Sequence, residues 1–301
     1  MGLALCCCVF LVHSVVAQTE ADALAAIKLA TNPTTKLAAA EDFVAKFPNS
    51  NARLEAAKLI AAEIPKIKNG AVALALLERA QAVFTTTQER ELLKPVALTA
   101  YVLGNRADEA FTLADEVLAK NPNDLAVLAR MTQLGADEAR KRNRKHADVS
   151  LQYGLKAIAL LEADQKSDGL GQLYQQTAIL YLAKGNTREA KSHLEKATTL
   201  SPRDPGNFAL LGRVINADYI AQLNTYESMP DGKAKQETSK QLDSMLDSVI
   251  DNYARATALA TGRAEYQTLL RQVIPDLTAY YKQRNDGSIK GLQQLINRYK
   301  P

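Results

Sequence analysis

The stretch from Gly171 to Pro202 constrains the fold more than any other part of the sequence. It predicts two helices of similar length joined at Gly185-Asn186, each with one apolar stripe whose members are spaced four and then three residues apart. The stripes consist of Tyr174, Ala178 and Tyr181 in the first helix and of Ala190, Leu194 and Ala197 in the second. A hairpin of this kind cannot bury its apolar faces alone, so the stretch predicts that further hairpins stack against it.

These positions resemble the tetratricopeptide repeat, a helix-turn-helix unit of about 34 residues. Ala178 stands where that repeat usually has glycine and Leu194 where it has phenylalanine, whereas Thr177 departs from it by standing where leucine is usual. The resemblance implies an all-α, tetratricopeptide-like superhelix (a solenoid) in which the first helix of each hairpin lines a concave groove. It also implies a protein that binds other proteins or peptides.

The composition agrees with a helical fold, because the chain has no Trp, 6% aromatic residues and 47% apolar residues. A shift of 80 residues aligns Asn105 with Gly185 and Ala110 with Ala190, so residues 91–124 form a weaker copy of the best repeat, 171–204. Counting helical patterns in this way predicts about seven hairpins in a repeat domain over residues 18–301.

Three departures from a regular repeat are expected. Pro95 predicts a kink or a late start in its helix, and Pro275 predicts an interruption, because proline cannot donate the backbone hydrogen bond of a helix interior. The pattern diverges over residues 224–301, where apolar residues spaced by three and four predict one long amphipathic helix at Ala234–Ala260. We expect that helix to be displaced from the standard pair.

Residues 1–17 form an apolar run without a charged side chain and end in Val15-Val16-Ala17. This pattern predicts a signal peptide cleaved near Ala17, and hence a periplasmic or secreted protein, although no Lys or Arg precedes the apolar core. All three cysteines lie in this run, so the mature chain would have no thiol. A lipid anchor on one of them is the weaker alternative, because no small residue directly precedes any of the three.

Little in the remaining sequence indicates catalysis. After signal removal only His146 and His193 remain as histidines, there is no phosphate-binding glycine loop, and we expect neither an enzyme nor a cofactor or metal. His193 is expected to be a half-exposed surface residue. An all-α glycan lyase using Tyr280, Tyr281 and Arg284 is a further alternative, but no acid and base accompany these residues.

The groove implied by the repeat geometry supplies the first candidate site. Its residues are those of the first helices that do not face their own partner helix. They are Arg130, Gln133, Gln172, Gln175, Gln176, Ile179, Arg213 and Asn216. Amide side chains both donate and accept hydrogen bonds and therefore suit the backbone of an extended peptide or a helix end. The alternative is a polar, solvated groove without a ligand.

A basic cluster supplies the second candidate site. It consists of Arg140, Lys141, Arg142, Arg144 and Lys145, beside His146, in a chain whose formal net charge is +4. Such a run attracts phospholipid headgroups or acidic glycans, and nucleic acid is the least expected partner of an exported protein. The alternative is a solvated junction between helices. The sequence thus favours a protein-binding scaffold or adaptor of the bacterial envelope, with an anionic-surface binder as the alternative.

Overall fold

The computed structural model describes residues 19–164 and 169–300. The predicted signal peptide lies outside these residues. The chain divides into two compact units with the boundary between Asp115 and Glu116. Every regular element within the described ranges is helical, and most successive helices pack together, which confirms the predicted all-α fold class. The tetratricopeptide-like superhelix of about seven hairpins stays a prediction. A single repeat domain over residues 18–301 stays a prediction.

From residue 19 onward, where the structure describes it, the N-terminal unit contains five complete α-helices and the start of a sixth. They are α1 (Glu20–Leu29), α2 (Pro33–Lys46), α3 (Arg53–Ala61), α4 (Gly70–Val83), α5 (Thr87–Leu103) and α6 (Ala107–Lys120), which crosses the boundary. A 3-10 turn, Ile64–Lys66, follows α3. α1 packs on α2, and α5 packs on both α3 and α4. Their core includes Phe43, Ile60 and Phe84, all fully buried.

A buried ion pair ties α5 to α3. Arg53 donates from Nε to Glu89 Oε1 at 2.9 Å and from Nη2 to Oε2 at 3.1 Å. Glu89 also completes a capping box, because its Oε2 accepts from the backbone N–H of Thr86 at 2.9 Å. Burial raises the pKa of Glu89, but the hydrogen bonds from Arg53 and Thr86 outweigh it and lower the pKa overall. The start of α5 is therefore fixed by a carboxylate with several partners.

The C-terminal unit contains eight complete helices in its described residues. They are α7 (Leu125–Arg140), α8 (Ala147–Ala163), α9 (Leu170–Ala183), α10 (Thr187–Leu200), α11 (Pro205–Glu227), α12 (Lys233–Ala260), α13 (Gln267–Arg284) and α14 (Leu292–Asn297). α7 pairs with α8, α9 with α10 and α11 with α12, and both α13 and α14 pack on α12. None of the helices in the described part of the chain is both long and apolar enough to cross a membrane.

Two turns that the 80-residue shift aligns have the same backbone conformation. Gly185, between α9 and α10, has φ +81°, and Asn105, between α5 and α6, has φ +59°. Both residues adopt the left-handed conformation that ends a helix, which glycine adopts freely and asparagine tolerates better than most residues. The weaker repeat thus preserves the turn geometry of the stronger one.

Pro95 and Pro275 both lie inside continuous helices. α5 begins at Thr87 and continues through Pro95, so of the two predicted effects the late start is wrong, whereas the kink stays a prediction. α13 runs without a break through Pro275, so the expected interruption is also wrong. Each proline removes only one backbone hydrogen bond, and the surrounding apolar packing, including fully buried Leu93 and Leu277, outweighs that loss.

The long helix α12 packs within its own unit, along the preceding helix α11, so the expected displacement from the standard pair is wrong. Gly212 of α11 makes this close approach possible, because a Cβ there would lie 2.6 Å from Cε1 of Tyr253. Tyr253 is 1% exposed, and burial raises its pKa to about 12. α11 and α12 therefore form a further hairpin, in which α12 is the longer helix.

Candidate functional site

Three helices of the C-terminal unit approach closely because glycines lie where they cross. A Cβ at Gly154 of α8 would lie 2.5 Å from Thr177 Cγ2 of α9 and 2.7 Å from Thr132 Cγ2 of α7. A Cβ at Gly135 of α7 would overlap Oγ of Ser150 in α8. α7 therefore packs against both α8 and α9.

A cleft of ≈ 550 Å³ opens along α7 and α9. Its floor is apolar and includes Leu161 and Leu173, which are 6% and 4% exposed. The polar lining consists of Arg130, Gln133, Gln172 and Gln176, and the rest of the lining consists of Leu125, Ala126, Ala129 and Gly169. The structure thus brings four of the eight predicted groove residues together at one site, which we call the α7–α9 cleft.

Gln176 is the most unusual polar group of the α7–α9 cleft. It is 5% exposed, yet its side-chain amide makes no hydrogen bond within residues 19–164 and 169–300. The more exposed amides of Gln133 and Gln172 also lack protein partners in the same ranges. The amide atoms of Gln176 are not among the enclosed atoms without a partner in the described residues, so this amide faces the open cleft. The three glutamines therefore offer donors and acceptors that the chain itself does not use.

Gln175, although adjacent to Gln176, has a structural role instead. Its Nε2 donates to Oδ1 of Asn207 at 2.6 Å and to Oδ2 of Asp204 at 3.3 Å. Asn207 is 1% exposed and in turn donates from Nδ2 to the carbonyl oxygen of Ala197 at 3.2 Å. This network joins the start of α11 to the α9–α10 hairpin, so Gln175 does not line the cleft.

The other three predicted groove residues also lie outside the cleft. Ile179 is 8% exposed and belongs to an apolar cluster with Leu151 and Leu180. Arg213 donates to Oε1 of Gln272 in α13. Asn216 is half-buried, and its Oδ1 has no hydrogen-bond partner. A position on the first helix of a hairpin is therefore not enough to place a residue in the cleft.

The sequence reasoning missed the apolar floor of the cleft. Leu125, Ala129 and Gln133 follow one another at intervals of four residues, so one face of α7 carries both floor and rim. On α9, Gln172 and Gln176 are four residues apart, and Leu173 also lines the cleft. Of the apolar residues, the sequence-based prediction places only Ile179 in the groove and assigns the others to packing between helices.

The basic cluster carries less free charge than the sequence suggests. Arg140 donates from Nη1 to Oδ1 of Asp137 at 2.5 Å, and Lys141 pairs with Oε1 of Glu138 at 2.9 Å. The hydrogen bond from Lys141 lowers the pKa of Glu138 against the opposing effect of burial. Both carboxylates precede the cluster on α7. Arg142, Arg144 and Lys145 are exposed in the turn between α7 and α8.

His193 lies inside the α9–α10 hairpin and is partly buried, rather than being a plain surface residue. Its ring packs edge-on against Tyr174 and Tyr181, with ring centroids 5.1 and 5.0 Å away. Its Nδ1 lies 2.7 Å from Oγ1 of Thr177, which donates to backbone carbonyl oxygens of its own helix. Burial first, and then the charge of Lys196, lower the pKa of His193. Thr177 thus departs from the repeat pattern because it packs against Gly154 and contacts His193.

The residues of the lyase alternative make structural contacts. Tyr280 packs edge-on against Tyr219, Tyr281 donates to the carbonyl oxygen of Lys290 at 3.0 Å, and Arg284 pairs with Asp247 at 2.8 Å. In the described part of the chain, no group of three or more His, Cys, Asp or Glu residues is arranged to hold a metal ion.

No family model matches the chain, and no curated protein matches it. Two solved structures of a monomeric IFIT1 mutant, one with m7Gppp-AAAA and one with Gppp-AAAA, are similar to it at a TM-score of 0.44 and 17% identity. In each case the match covers 89% of this chain and 56% of the IFIT1 chain. The structure of pilF from Pseudomonas aeruginosa is similar at a TM-score of 0.42 and 13% identity, over 81% of this chain and 97% of that one. The chain thus spans about half the length of the IFIT1 chain.

Proposed function

We propose that this protein is a non-catalytic scaffold that binds a segment of another protein in the α7–α9 cleft. The observation that carries the proposal is the amide of Gln176, which is nearly buried at the cleft and makes no hydrogen bond within the described residues. The amide faces the open cleft rather than being fully enclosed, so a bound partner can pair with it there. The proposal requires no cofactor.

The lining supports a protein ligand in particular. An aliphatic side chain buried on the floor at Leu161 and Leu173 contributes about 1.5–3 kcal/mol, and hydrogen bonds to the glutamines contribute about 1 kcal/mol each. Together these terms give a site of moderate affinity, which suits an adaptor that presents or releases its partner. Specificity would come from the polar rim.

Cross-linking in the cells that produce the protein tests this proposal. A photoreactive amino acid replaces Gln172 at the rim of the cleft, and a matched variant carries it at Arg188, whose side chain is 95% exposed and does not line the cleft. We expect a discrete protein adduct from position 172 and none of the same mass from position 188. Equal adducts from both positions, or none from position 172, would contradict the proposal.

We further propose that the scaffold acts in the bacterial cell envelope, in the periplasm or after secretion. The support is the apolar run over residues 1–17 and its small residues before Gln18. Cell fractionation followed by N-terminal sequencing tests this location. A mature chain that begins at Gln18 and leaves the cytoplasm is the expected result, whereas an unprocessed cytoplasmic chain would exclude an envelope role.

Binding to an anionic surface through the basic cluster is the alternative function. Exposed Arg142, Arg144 and Lys145 support it, and the ion pairs of Arg140 and Lys141 weaken it. Such binding would fall steeply between low and moderate salt because surface charges are screened. Vesicles of anionic phospholipid should then retain the parent chain but not the Arg142→Ser/Arg144→Ser/Lys145→Ser variant.

A further inference from the structure

A second cavity of the C-terminal unit shares no lining residue with the α7–α9 cleft. It measures ≈ 260 Å³ and lies between the last turns of α10 and α12, beside the start of α11. Both α10 and α12 are second helices of their hairpins, so the cavity lies outside any groove that the first helices line. We call it the α10–α12 pocket, and its lining includes Thr198, Thr199, Phe208, Arg255, Leu259 and Tyr299.

Arg255 is the only residue with a fixed charge among the described residues that line this pocket. Its Cζ lies 4.5 Å from the ring centroid of Tyr299 and 5.6 Å from that of Phe208, so two aromatic rings hold the guanidinium group. Its Nε donates to Oδ2 of Asp251 at 2.9 Å. The two Nη groups carry four further N–H donors, and no hydrogen bond joins them to a carboxylate within the described residues.

Asp251 balances the charge of Arg255 from outside the pocket. It lines two other cavities along α12 but not the α10–α12 pocket. It also accepts a hydrogen bond from the hydroxyl of Tyr299, so one carboxylate serves two donors. The lining therefore presents part of a guanidinium group without a carboxylate beside it, an arrangement that favours an anionic ligand.

The two threonines determine what else the ligand must offer. The hydroxyls of Thr198 and Thr199 donate to the carbonyl oxygen of Glu195, at 2.8 and 2.9 Å. A hydroxyl has one proton and two lone pairs, so each of them can now only accept. A ligand group beside them must therefore donate. An ammonium group would meet the positive charge of Arg255 and no carboxylate in the described lining, so a neutral hydroxyl is the better match.

The size and the walls of the pocket restrict the ligand further. A volume of ≈ 260 Å³ lies below the range of about 300–1,000 Å³ that is usual for drug-sized ligands, so the ligand is small. Phe208 and Leu259 supply an apolar wall for its hydrocarbon part. A single guanidinium group matches one planar carboxylate, whereas a phosphate dianion would have no second cation in the described lining.

We propose that the α10–α12 pocket binds a small apolar carboxylate that carries a hydroxyl group. The carboxylate accepts from the Nη groups of Arg255, the hydroxyl donates to Thr198 or Thr199, and the hydrocarbon part packs on Phe208 and Leu259. This small-molecule site is separate from the α7–α9 cleft, so it stands or falls independently of the proposed function.

Titration of the full chain with leucic acid or phenyllactic acid, two apolar hydroxy acids, tests the proposal. The backbone amide NMR signals of Thr198, Thr199 and Leu259 should shift as the acid binds. Those of Gln172 and Gln176 in the α7–α9 cleft should not. The uncharged amide of leucic acid should bind at least about tenfold more weakly than the acid, and isocaproic acid, which lacks the hydroxyl, about fivefold more weakly.

Arg255→Gln should weaken the binding of leucic acid at least about tenfold, because it removes the cation of the pocket. The matched control is Arg263→Gln. Arg263 also pairs with a carboxylate, that of Glu265 at 3.0 Å, and lies over an aromatic ring, that of Tyr266 at 4.4 Å, but it does not line the pocket. This control should bind leucic acid within about twofold of the parent.

A second variant keeps the Arg255–Asp251 pair intact and therefore does not depend on how the chain tolerates its loss. Thr198→Val/Thr199→Val removes both hydroxyls while keeping the size of the side chains. It should bind leucic acid only as well as the parent binds isocaproic acid, and its affinity for isocaproic acid should be unchanged.

The losses expected for Arg255→Gln and for the threonine variant, with an unaffected Arg263→Gln, would support the proposal. It is overturned if neither hydroxy acid shifts the signals of the pocket, or if the shifts occur in the α7–α9 cleft instead. Equal binding of leucic acid and its amide, or of leucic acid by the parent and by Arg255→Gln, would also overturn it, because Arg255 would then hold no carboxylate.

Discussion

Two nearly buried polar residues, one in each unit, differ in the number of hydrogen bonds that their side chains make. Glu89 in the N-terminal unit is 1% exposed and accepts hydrogen bonds from Arg53 and Thr86, so it holds α3 and α5 together. Gln176 in the C-terminal unit is 5% exposed and has no such partners in the described part of the chain. A buried polar group with all its partners stabilises the fold, whereas an amide that faces a cleft without a partner is available to a ligand. The presence or absence of hydrogen-bond partners therefore distinguishes structural residues from candidate binding residues better than their position in the repeat does.

The largest effect is expected at Glu89. Glu89→Ala leaves Arg53, whose side chain is 12% exposed, without its ion-pair partner, and should lower the free energy of unfolding by about 3–5 kcal/mol. Chemical denaturation of the full chain, followed by its helical circular dichroism, measures the change. The exposed Glu78 on α4 gives a control, since Glu78→Ala should change stability by less than about 0.5 kcal/mol.

The same residue predicts a pH dependence. Because the folded state lowers the pKa of Glu89 below its ordinary value of 4.5, its contribution is present above pH 4.5 and is lost as the pH falls below it. The parent chain should therefore lose more stability than Glu89→Ala between pH 5 and pH 3. Parallel losses in the two proteins would show that the Arg53–Glu89 pair is not stabilising.

A smaller loss is expected at Gly154, which sets the distance between the helices of the cleft. Gly154→Ala should cost about 1–3 kcal/mol through overlap with the γ-methyl groups of Thr132 and Thr177, partly offset by about 1 kcal/mol of helix propensity. Thermal unfolding measures it. Adding Thr132→Ser and Thr177→Ser, which removes those methyl groups, should restore part of the lost stability. A stable Gly154→Ala chain with unchanged peptide binding would contradict the packing described here.

Gln176→Leu should have little effect on stability and a large effect on binding. Replacing an amide without a partner by an apolar side chain of similar size should change the free energy of unfolding by less than about 1 kcal/mol, in the stabilising direction. Denaturation, and titration with the partner segment that cross-links to position 172, measure both quantities on the same preparation. A loss above about 2 kcal/mol would mean that Gln176 has partners in the folded chain and is structural, like Glu89.

The smallest effect is expected at His193. Its pKa is lowered below 6.5 in the folded state, by burial first and then by Lys196, so the unfolded chain binds a proton more readily. The contribution of neutral His193 is therefore present above pH 6.5 and decreases as the pH falls below it. His193→Gln should show a shallower loss of stability than the parent between pH 7 and pH 5. If the two proteins lost stability equally between pH 7 and pH 5, the His193 ring would not be desolvated in the folded chain.

The sequence predicted the helical hairpins well because apolar spacing and turn residues are local signals. The Gly171–Pro202 repeat, its turn at Gly185 and the long helix near 234–260 all follow from such spacing. The effects of Pro95 and Pro275 were mispredicted because packing at both helices outweighs one lost backbone hydrogen bond.

The site was only partly predictable. The periodicity of α7 and α9 placed Arg130, Gln133, Gln172 and Gln176 among the candidates, but it placed Gln175 there too. Whether a side-chain amide has a hydrogen-bond partner depends on residues far away in sequence. Asn207 in α11 pairs with Gln175 and with none of the other glutamines. Spacing along one helix cannot supply that information.

The most direct test follows the side-chain amide NMR signals of the glutamines while the partner segment that cross-links to position 172 is added to the full chain as a peptide. We expect the signals of Gln133, Gln172 and Gln176 to shift in proportion to the peptide bound, while those of Gln175, held by Asn207 and Asp204, stay in place. A shift confined to Gln175, or no shift at any of the four, would contradict the claim that the unpartnered amides of the α7–α9 cleft form the binding site.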